Sequence, residues 1–515
     1  MTAYDFAVVG GGVNGLTAAA YLARRGFSVI LLEKNRELGG CAITRELTLP
    51  GFKHDVMATS LNIFKAGPVK DDLELERYGF REALPDPVTA HPFPDGRALY
   101  IYRDIKKSIE SVGKFSARDA KRFGEIMEMF RQSSDALLGG MLGPPTPLSA
   151  MASFLEGTEE GQEFLRLTFL SARDFMDENF ESEEVKAWLS VWVSNHVPFP
   201  PEEPGTTIFL LVFLGLLQFR GCGVPIGGMS SLVAAIARYL QEHGGVIMTG
   251  SEVARIAVRD GRAVGVVLSG GGQIEVRRGV LSSVEPKTLF LKMVGEEHLD
   301  SSFVQKVRRF KFSTVSQVMI HAALDDWIPY TSGDVRRAGI VQIGETVESV
   351  SRAYNLCING QLPDEPFMTV DNTTLYDSSR APHGKHTLWD FVRTPAKLKH
   401  DSWEDVKESF ADRCMDVLER YAPGFRRTIL KRVVLTPVDL ENMNSNIVNA
   451  DPGVGKASLD QSLSMRPFPG YSNYRTPVKG LYMCGAYTHP GGGVSGIPGR
   501  NAALEAIEDV EKKII

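Results

Sequence analysis

Cysteine is scarce in this chain, with five in 515 residues, at positions 41, 222, 357, 414 and 484, and no Cys-x-x-Cys pair. So sparse and odd a set supplies neither a zinc ribbon nor a redox-active disulfide and fits a reducing compartment. Each thiol reads as a small buried apolar group. No His/Cys/Asp/Glu spacing suggests a metal site, so no metal is expected. Basic runs are missing as well: 57 Lys and Arg against 63 Asp and Glu leave a net charge of −6, which gives no electrostatic case for nucleic acid. Long apolar runs are also absent. The longest, Ile208-Phe-Leu-Leu-Val-Phe-Leu-Gly-Leu-Leu217, falls short of the roughly 20 residues a bilayer requires. No charged-then-apolar leader precedes the first predicted strand, so a cytoplasmic location is expected. Internal repeats, heptads and low-complexity tracts are not seen.

Glycine, by contrast, is plentiful and placed. Residues 5–15 read Asp5-Phe-Ala-Val-Val-Gly10-Gly-Gly12-Val-Asn-Gly15, an apolar strand running into a Gly-x-Gly-x-x-Gly turn and an Ala-rich helix that Gly26 closes. Gly10 allows the tight turn, Gly12 clears the approach of a pyrophosphate, and Gly15 lets helix and strand pack closely. The helix start, at Val13 and Asn14, offers unpaired N–H groups and a partial positive charge. A second strand ends on Glu33, eighteen residues past Gly15, where a carboxylate accepts from both ribose hydroxyls and disfavours a 2′-phosphate. Lys34 follows it. Gly39 and Gly40 then suit a second backbone approach to the same pyrophosphate.

These residues resemble the glycine-rich entry of flavoproteins of the glutathione-reductase structural class, and more narrowly of amine oxidases and phytoene desaturases. FAD is the implied cofactor. Near the other end, Gly485-Ala-Tyr-Thr-His489-Pro-Gly-Gly-Gly493-Val494 precedes a helix that Pro498 suits at its first turn and that runs to about Lys512. By the same resemblance this segment lines the flavin, with Gly485 near the pyrophosphate, Val494 near the isoalloxazine and Gly493 also among the cofactor-binding residues. A third block is a Gly-Gly turn and amphipathic helix from Pro225 to Gly245, followed by strands joined by turns such as Asp260-Gly261. It matches the family's middle FAD segment, in which Val253 pairs its backbone with adenine.

The implied fold is α/β: a Rossmann-like FAD domain assembled from 1–90, 220–300 and 430–515, with an inserted α+β substrate domain from 91–219 and 301–429. A break at Gly139-Gly-Met-Leu-Gly-Pro-Pro-Thr-Pro147 separates two helical stretches of the first insertion. Pro50-Gly-Phe-Lys-His-Asp55, Phe115-Ser-Ala-Arg-Asp-Ala120, Asp377-Ser-Ser-Arg-Ala-Pro-His-Gly-Lys-His386 and Asp460-Gln-Ser-Leu-Ser-Met-Arg-Pro467 resemble landmarks of a phytoene-dehydrogenase-like branch. Two departures stand out. Cys41 occupies the place of an arginine common in amine oxidases, and Asn446-Ile-Val-Asn449-Ala-Asp451 lacks a histidine expected in relatives.

The expected activity is FAD-dependent dehydrogenation of a largely apolar, carotenoid- or isoprenoid-like substrate, with oxygen or a quinone as acceptor. Few side chains are obligatory, because the cofactor carries the chemistry while the protein orients the donor carbon and excludes water. Catalytic candidates are His489, Tyr487 and Asn449. His54 and Arg466 read as structural or anchoring groups, and the pair Asn195 and His196 as candidates to face substrate. The 208–217 run has two readings: a buried helix lining the substrate chamber, or a helix dipping into a membrane face. Alternatives for the whole chain are an amine oxidase, a redox-neutral isomerase, and a flavin-bearing interaction protein without turnover. Oligomeric state is not legible.

Overall fold

Residues 3–515 are described by the computed structural model. Strand Tyr4–Val9 is buried on both faces from Phe6 onward, the pattern of a central parallel strand. It pairs in parallel with Val29–Leu32 and Gln273–Ser282, and Val246–Met248 and Leu481–Met483 extend the sheet on either side. Strand Gln273–Ser282 has two roles. Its first residues pair antiparallel with Arg262–Leu268, which pairs in turn with Val253–Arg259, while its later residues join the parallel sheet. Asp260 and Gly261 both take positive φ, 49° and 70°, as a two-residue hairpin with right-handed strand twist demands.

Helices Val13–Arg24, Met229–Glu242 and Ile497–Glu511 share one core on one face of this sheet. Two glycines set how closely they meet. A Cβ at Gly15 would stand 1.9 Å from the Gly10 carbonyl oxygen, and one at Gly499 would stand 1.9 Å from that of Asn14. Helix Ile497–Glu511 therefore lies directly against the turn that opens helix Val13–Arg24.

A second seven-stranded sheet runs in the order Ile429–Leu435, Val315–Leu324, His386–Pro395, Met368–Asp371, Ile340–Ile343, Thr89–Pro92, Ala98–Ile101. Strand Ile429–Leu435, which straddles the 430 boundary read from sequence, belongs to this sheet. Side chains of its two ten-residue strands alternate. Val318, Ile320, Leu388 and Val392 pack against helix Trp403–Tyr421, and Val315, Gln317, Trp389, Phe391 and Arg393 line a cavity on the other side.

A helical layer from residues 105–220 closes over that cavity. The long helix continues to Leu142, so Gly139 and Gly140 lie within it, and the break narrows to 143–147, where three prolines bar helical hydrogen bonding. Helix Thr207–Arg220 keeps Leu210, Leu214 and Leu217 buried, while Ile208, Leu211, Val212 and Leu216 line the cavity. It lines the cavity, as the first of the two sequence readings has it. Among the described residues, no helix is long and apolar enough to cross a membrane.

Candidate active site

One cavity of about 1660 Å³ runs between the two glycine loops and into the space beneath the helical layer. It exceeds the roughly 300–1,000 Å³ of an ordinary ligand pocket, leaving room for a large cofactor and a substrate together. Gly12, Val13, Asn14, Gly15, Gly39 and Gly40 line it from one side, and Gly485, Gly493 and Val494 from the other.

Local structure explains the first side. Gly12 caps helix Val13–Arg24 without a side-chain hydrogen bond, and the first turn holds no acid, so its N–H groups and positive dipole end stay open to an anion. A Cβ on Gly12 would meet no atom within 4 Å, because that face of the turn looks into the cavity. The Gly39 N–H donates to the Gly11 carbonyl at 2.9 Å, which holds the second glycine pair against the first. Asn14 Oδ1 is buried without a partner.

Glu33 is nearly buried and accepts from the backbone N–H groups of Gly11 at 2.7 Å and Asn35 at 2.8 Å. It therefore braces the glycine turn, and each oxygen keeps a further lone pair. Glu33, Lys34 and Val253 lie outside the cavity lining. They converge beside it, because Ser251 N–H donates to the Glu33 carbonyl and brings in the start of strand Val253–Arg259. Lys34 Nζ reaches Ser445 Oγ at 2.5 Å.

On the second side, a Cβ at Gly485 would collide with the Tyr487 ring at 2.4 Å and the Ser283 carbonyl at 2.5 Å. Tyr487 itself turns inward, fully buried, and its hydroxyl donates to the Ser282 carbonyl at 3.0 Å. It does not line the cavity. Neither does Asn449, whose side chain donates to the Ser313 carbonyl at 3.0 Å from a left-handed backbone position; its neighbours Asn444 and Asn446 do. Of the three catalytic candidates, His489 alone reaches the chamber. Its Nε2 lies 3.1 Å from the Gly140 carbonyl, stapling the loop to the long helix, and burial pulls its pKa down to about 4. It is a neutral imidazole at physiological pH.

Arg466 lies under the same loop and donates to the carbonyls of Gly453 at 2.7 Å and Ala486 at 3.0 Å. Burial lowers its pKa to about 10, which leaves it charged at neutral pH. Asn195 and His196 both line the cavity. His196 is ringed by Trp192 and Phe213, and burial takes its pKa down to about 3. His54 bonds Thr48 Oγ1 at 2.8 Å outside the lining, and its burial likewise keeps it neutral. The landmarks at 50–55 and 377–386 meet each other, since buried Asp55 and Arg380 form an ion pair.

The cavity floor was missed from sequence. Trp389, Phe391 and Arg393 stand on alternate positions of one strand, with the two aromatic rings nearly parallel at 6° and centroids 6.0 Å apart. The period-two spacing was visible, but the ten-residue strand is buried on both faces, so alternation of polarity did not mark which face was open. Also missed was the rim, where Leu148, Phe154, Phe169, Leu459 and Leu463 line the mouth yet remain exposed, Phe154 at 84%.

These residues fit FAD. A cradle free of Cβ atoms faces an uncapped helix start, a second glycine loop faces the first, and the cavity continues into an apolar compartment. When bound, FAD supplies a hydride acceptor. The chain walls the adjoining compartment with apolar side chains: Phe209, Leu211, Phe213 and Leu216 on one side, and Trp389 and Phe391 on the other.

Similarity to known proteins points the same way. A family profile described as flavin containing amine oxidoreductase matches residues 14–499. Pyridine nucleotide-disulfide oxidoreductase domain-containing protein 2 of Rattus norvegicus is 33% identical over 99% of this chain and 94% of its own length. A polypeptide of the limonene dehydrogenase of Castellaniella defragrans is 29% identical over 98% of this chain and 95% of its own. Among solved structures, an oxidoreductase from Methanosarcina mazei superposes with a TM-score of 0.63 at 18% identity, covering 98% of this chain and 99% of that one. With its glycine cradle intact and the match spanning both sheets, this chain belongs to the flavin containing amine oxidoreductase family and is an FAD-dependent oxidoreductase.

Proposed function

We propose that this enzyme dehydrogenates a largely apolar organic substrate, isoprenoid- or carotenoid-like in its hydrocarbon part, with oxygen, a quinone or another acceptor taking up the electrons. The observation that carries this reading is the compartment joined to the cofactor cradle, walled by Phe209, Leu211, Phe213, Leu216, Trp389 and Phe391. Apolar walls favour a hydrocarbon through the hydrophobic effect, at about 25 cal/mol per Å² of apolar surface buried. The relative named for limonene dehydrogenation supports the same class, limonene being a hydrocarbon. Exposed Leu148, Phe154 and Phe169 at the mouth give a substrate of low solubility an apolar entrance and supply a surface for peripheral contact with a membrane. A cationic amine is less well served, because the guanidinium groups of Arg393 and Arg466 both face the chamber. His489, the one catalytic candidate in the lining, is the group we assign to orient substrate as a neutral imidazole.

Anaerobic mixing of the yellow holoprotein with separate terpenoid, carotenoid and amine panels tests the reading. Bleaching by a terpenoid or carotenoid is expected. Bleaching by amines alone, or conversion of a terpenoid without net electron uptake, would replace it with the amine oxidase or the isomerase reading.

A further inference from the structure

At one end of the floor stripe, next to Trp389 and Phe391, the lining turns cationic at Arg393. This side chain is 5% exposed, yet among the described residues no carboxylate lies within 4.0 Å of its nitrogens. Asp451 acts on it only from further off, and that carboxylate is already engaged by the backbone N–H groups of Ser313, Gly453 and Gly455. The acids at the rim, Glu159, Glu160 and Glu163, sit at the mouth on an exposed helix. Arg393 gives one hydrogen bond, from Nη2 to the Asn195 carbonyl in the last turn of helix Glu183–His196, and its Nε is buried without a partner. A guanidinium has five N–H donors, so most of its capacity is unused. Arg466 shares the unpartnered buried Nε but donates to three backbone carbonyls, where Arg393 donates to one.

A buried cation without a counter-ion is strongly unfavourable, and one lining a cavity is relieved by an anion entering it. Its surroundings match that need. Gln317 faces Arg393 directly across the ladder with its amide oxygen unpartnered. Rotation of the amide would present N–H donors instead. Nearby His196 is neutral and adds no competing charge. Phe391 lies 4.6 Å under the guanidinium, and Trp389 continues the stripe, so three alternate residues run from aromatic to cationic over about 14 Å of strand.

We propose that the chamber takes an organic carboxylate, its hydrocarbon lying along Trp389 and Phe391 and its acid group paired with Arg393. This rests on the compartment being the substrate site and names one class of molecule for it. The Arg393 bond to the Asn195 carbonyl orients the fork, and the carboxylate completes it.

The test is calorimetric titration of oxidised holoprotein with saturated probes that cannot be dehydrogenated readily: decanoate, methyl decanoate, decanol and decyl phosphate. Decanoate should bind about 10- to 100-fold more tightly than methyl decanoate, the worth of a charge-assisted hydrogen-bonded pair. In Arg393→Gln that preference should vanish while affinity for methyl decanoate stays within about twofold, and Arg393→Lys should retain part of it. Equal affinity of the wild-type protein for acid and ester overturns the proposal, whether or not any variant folds. A preference that survives in Arg393→Gln, or tighter binding of decyl phosphate than of decanoate, overturns it as well. Bleaching by neutral terpenoids in protein that shows no acid preference would leave the dehydrogenase reading standing and remove only the carboxylate.

Discussion

The cofactor half and the substrate half of this molecule are specified by different parts of the polypeptide. In the glycine cradle, backbone forms the cavity wall, and the shaping residues are those without side chains: Gly12 opens onto the cavity, while Gly15 and Gly499 each sit where a Cβ would stand 1.9 Å from a carbonyl oxygen. Around the adjoining chamber, side chains form the lining, through a stripe of Trp389, Phe391 and Arg393 whose backbone is an ordinary antiparallel ladder. The lesson is that a glycine motif can mix two requirements, space for a ligand and space for a neighbouring helix, which only the packing separates.

Substitution separates them most sharply. Gly499→Val should destabilise the fold by about 3 kcal/mol or more, since the overlap is with backbone and the two helices must part; thermal melts of the purified protein would show it. Gly12→Val should carry no flavin, read as the ratio of 450 nm to 280 nm absorbance, and melt close to wild-type protein stripped of flavin. Normal flavin content in that variant would break the distinction. Glu33→Ala is expected to fall between, because the Gly11 and Asn35 N–H groups lose their acceptor at about 1–3 kcal/mol for a buried donor left unpaired. Flavin retention and melting temperature should drop together.

The smallest effect belongs to the far face of the substrate sheet. Asp390 is fully buried with both carboxylate oxygens unpartnered, and burial raises its pKa well above the ordinary carboxylate value. The folded protein therefore keeps a proton that the unfolded chain releases above about pH 4. The stability this group confers is complete at low pH and declines as pH rises toward its folded pKa. Asp390→Asn should remove that decline, flattening the melting temperature between pH 5 and 9 relative to wild type. An unchanged slope would show that the acid is ionised and paired.

What was legible in the sequence follows the same division. The cradle could be read because its geometry is local: the turn at Gly10 to Gly15 and the loop at Gly485 to Val494 each carry their meaning within a few residues, whereas the bracing of the turn by Glu33 was not foreseen. Tyr487 and Asn449 show the limit of such reading. Both sit beside lining residues, yet Tyr487 points into the core because Gly485 leaves room for its ring, and Asn449 is turned away by its left-handed backbone. The chamber floor was illegible because Val315–Leu324 and His386–Pro395 find each other across a long intervening stretch. No local pattern states which of two equally buried faces will be left open. The apolar run at 208–217 was legible as a helix, while the exposed phenylalanines at the mouth belong to the neighbouring helices Leu148–Leu155 and Glu159–Phe169.

The contact of Gly499 with Asn14 also has a bearing on biosynthesis. A ribosome adds about 5–20 residues per second, so the opening turn emerges tens of seconds before the helix that must rest upon it. Throughout that interval the face of helix Val13–Arg24 that packs on helix Ile497–Glu511 is without that partner. Flavin capture is therefore a late event, completed only after translation has passed the second glycine loop.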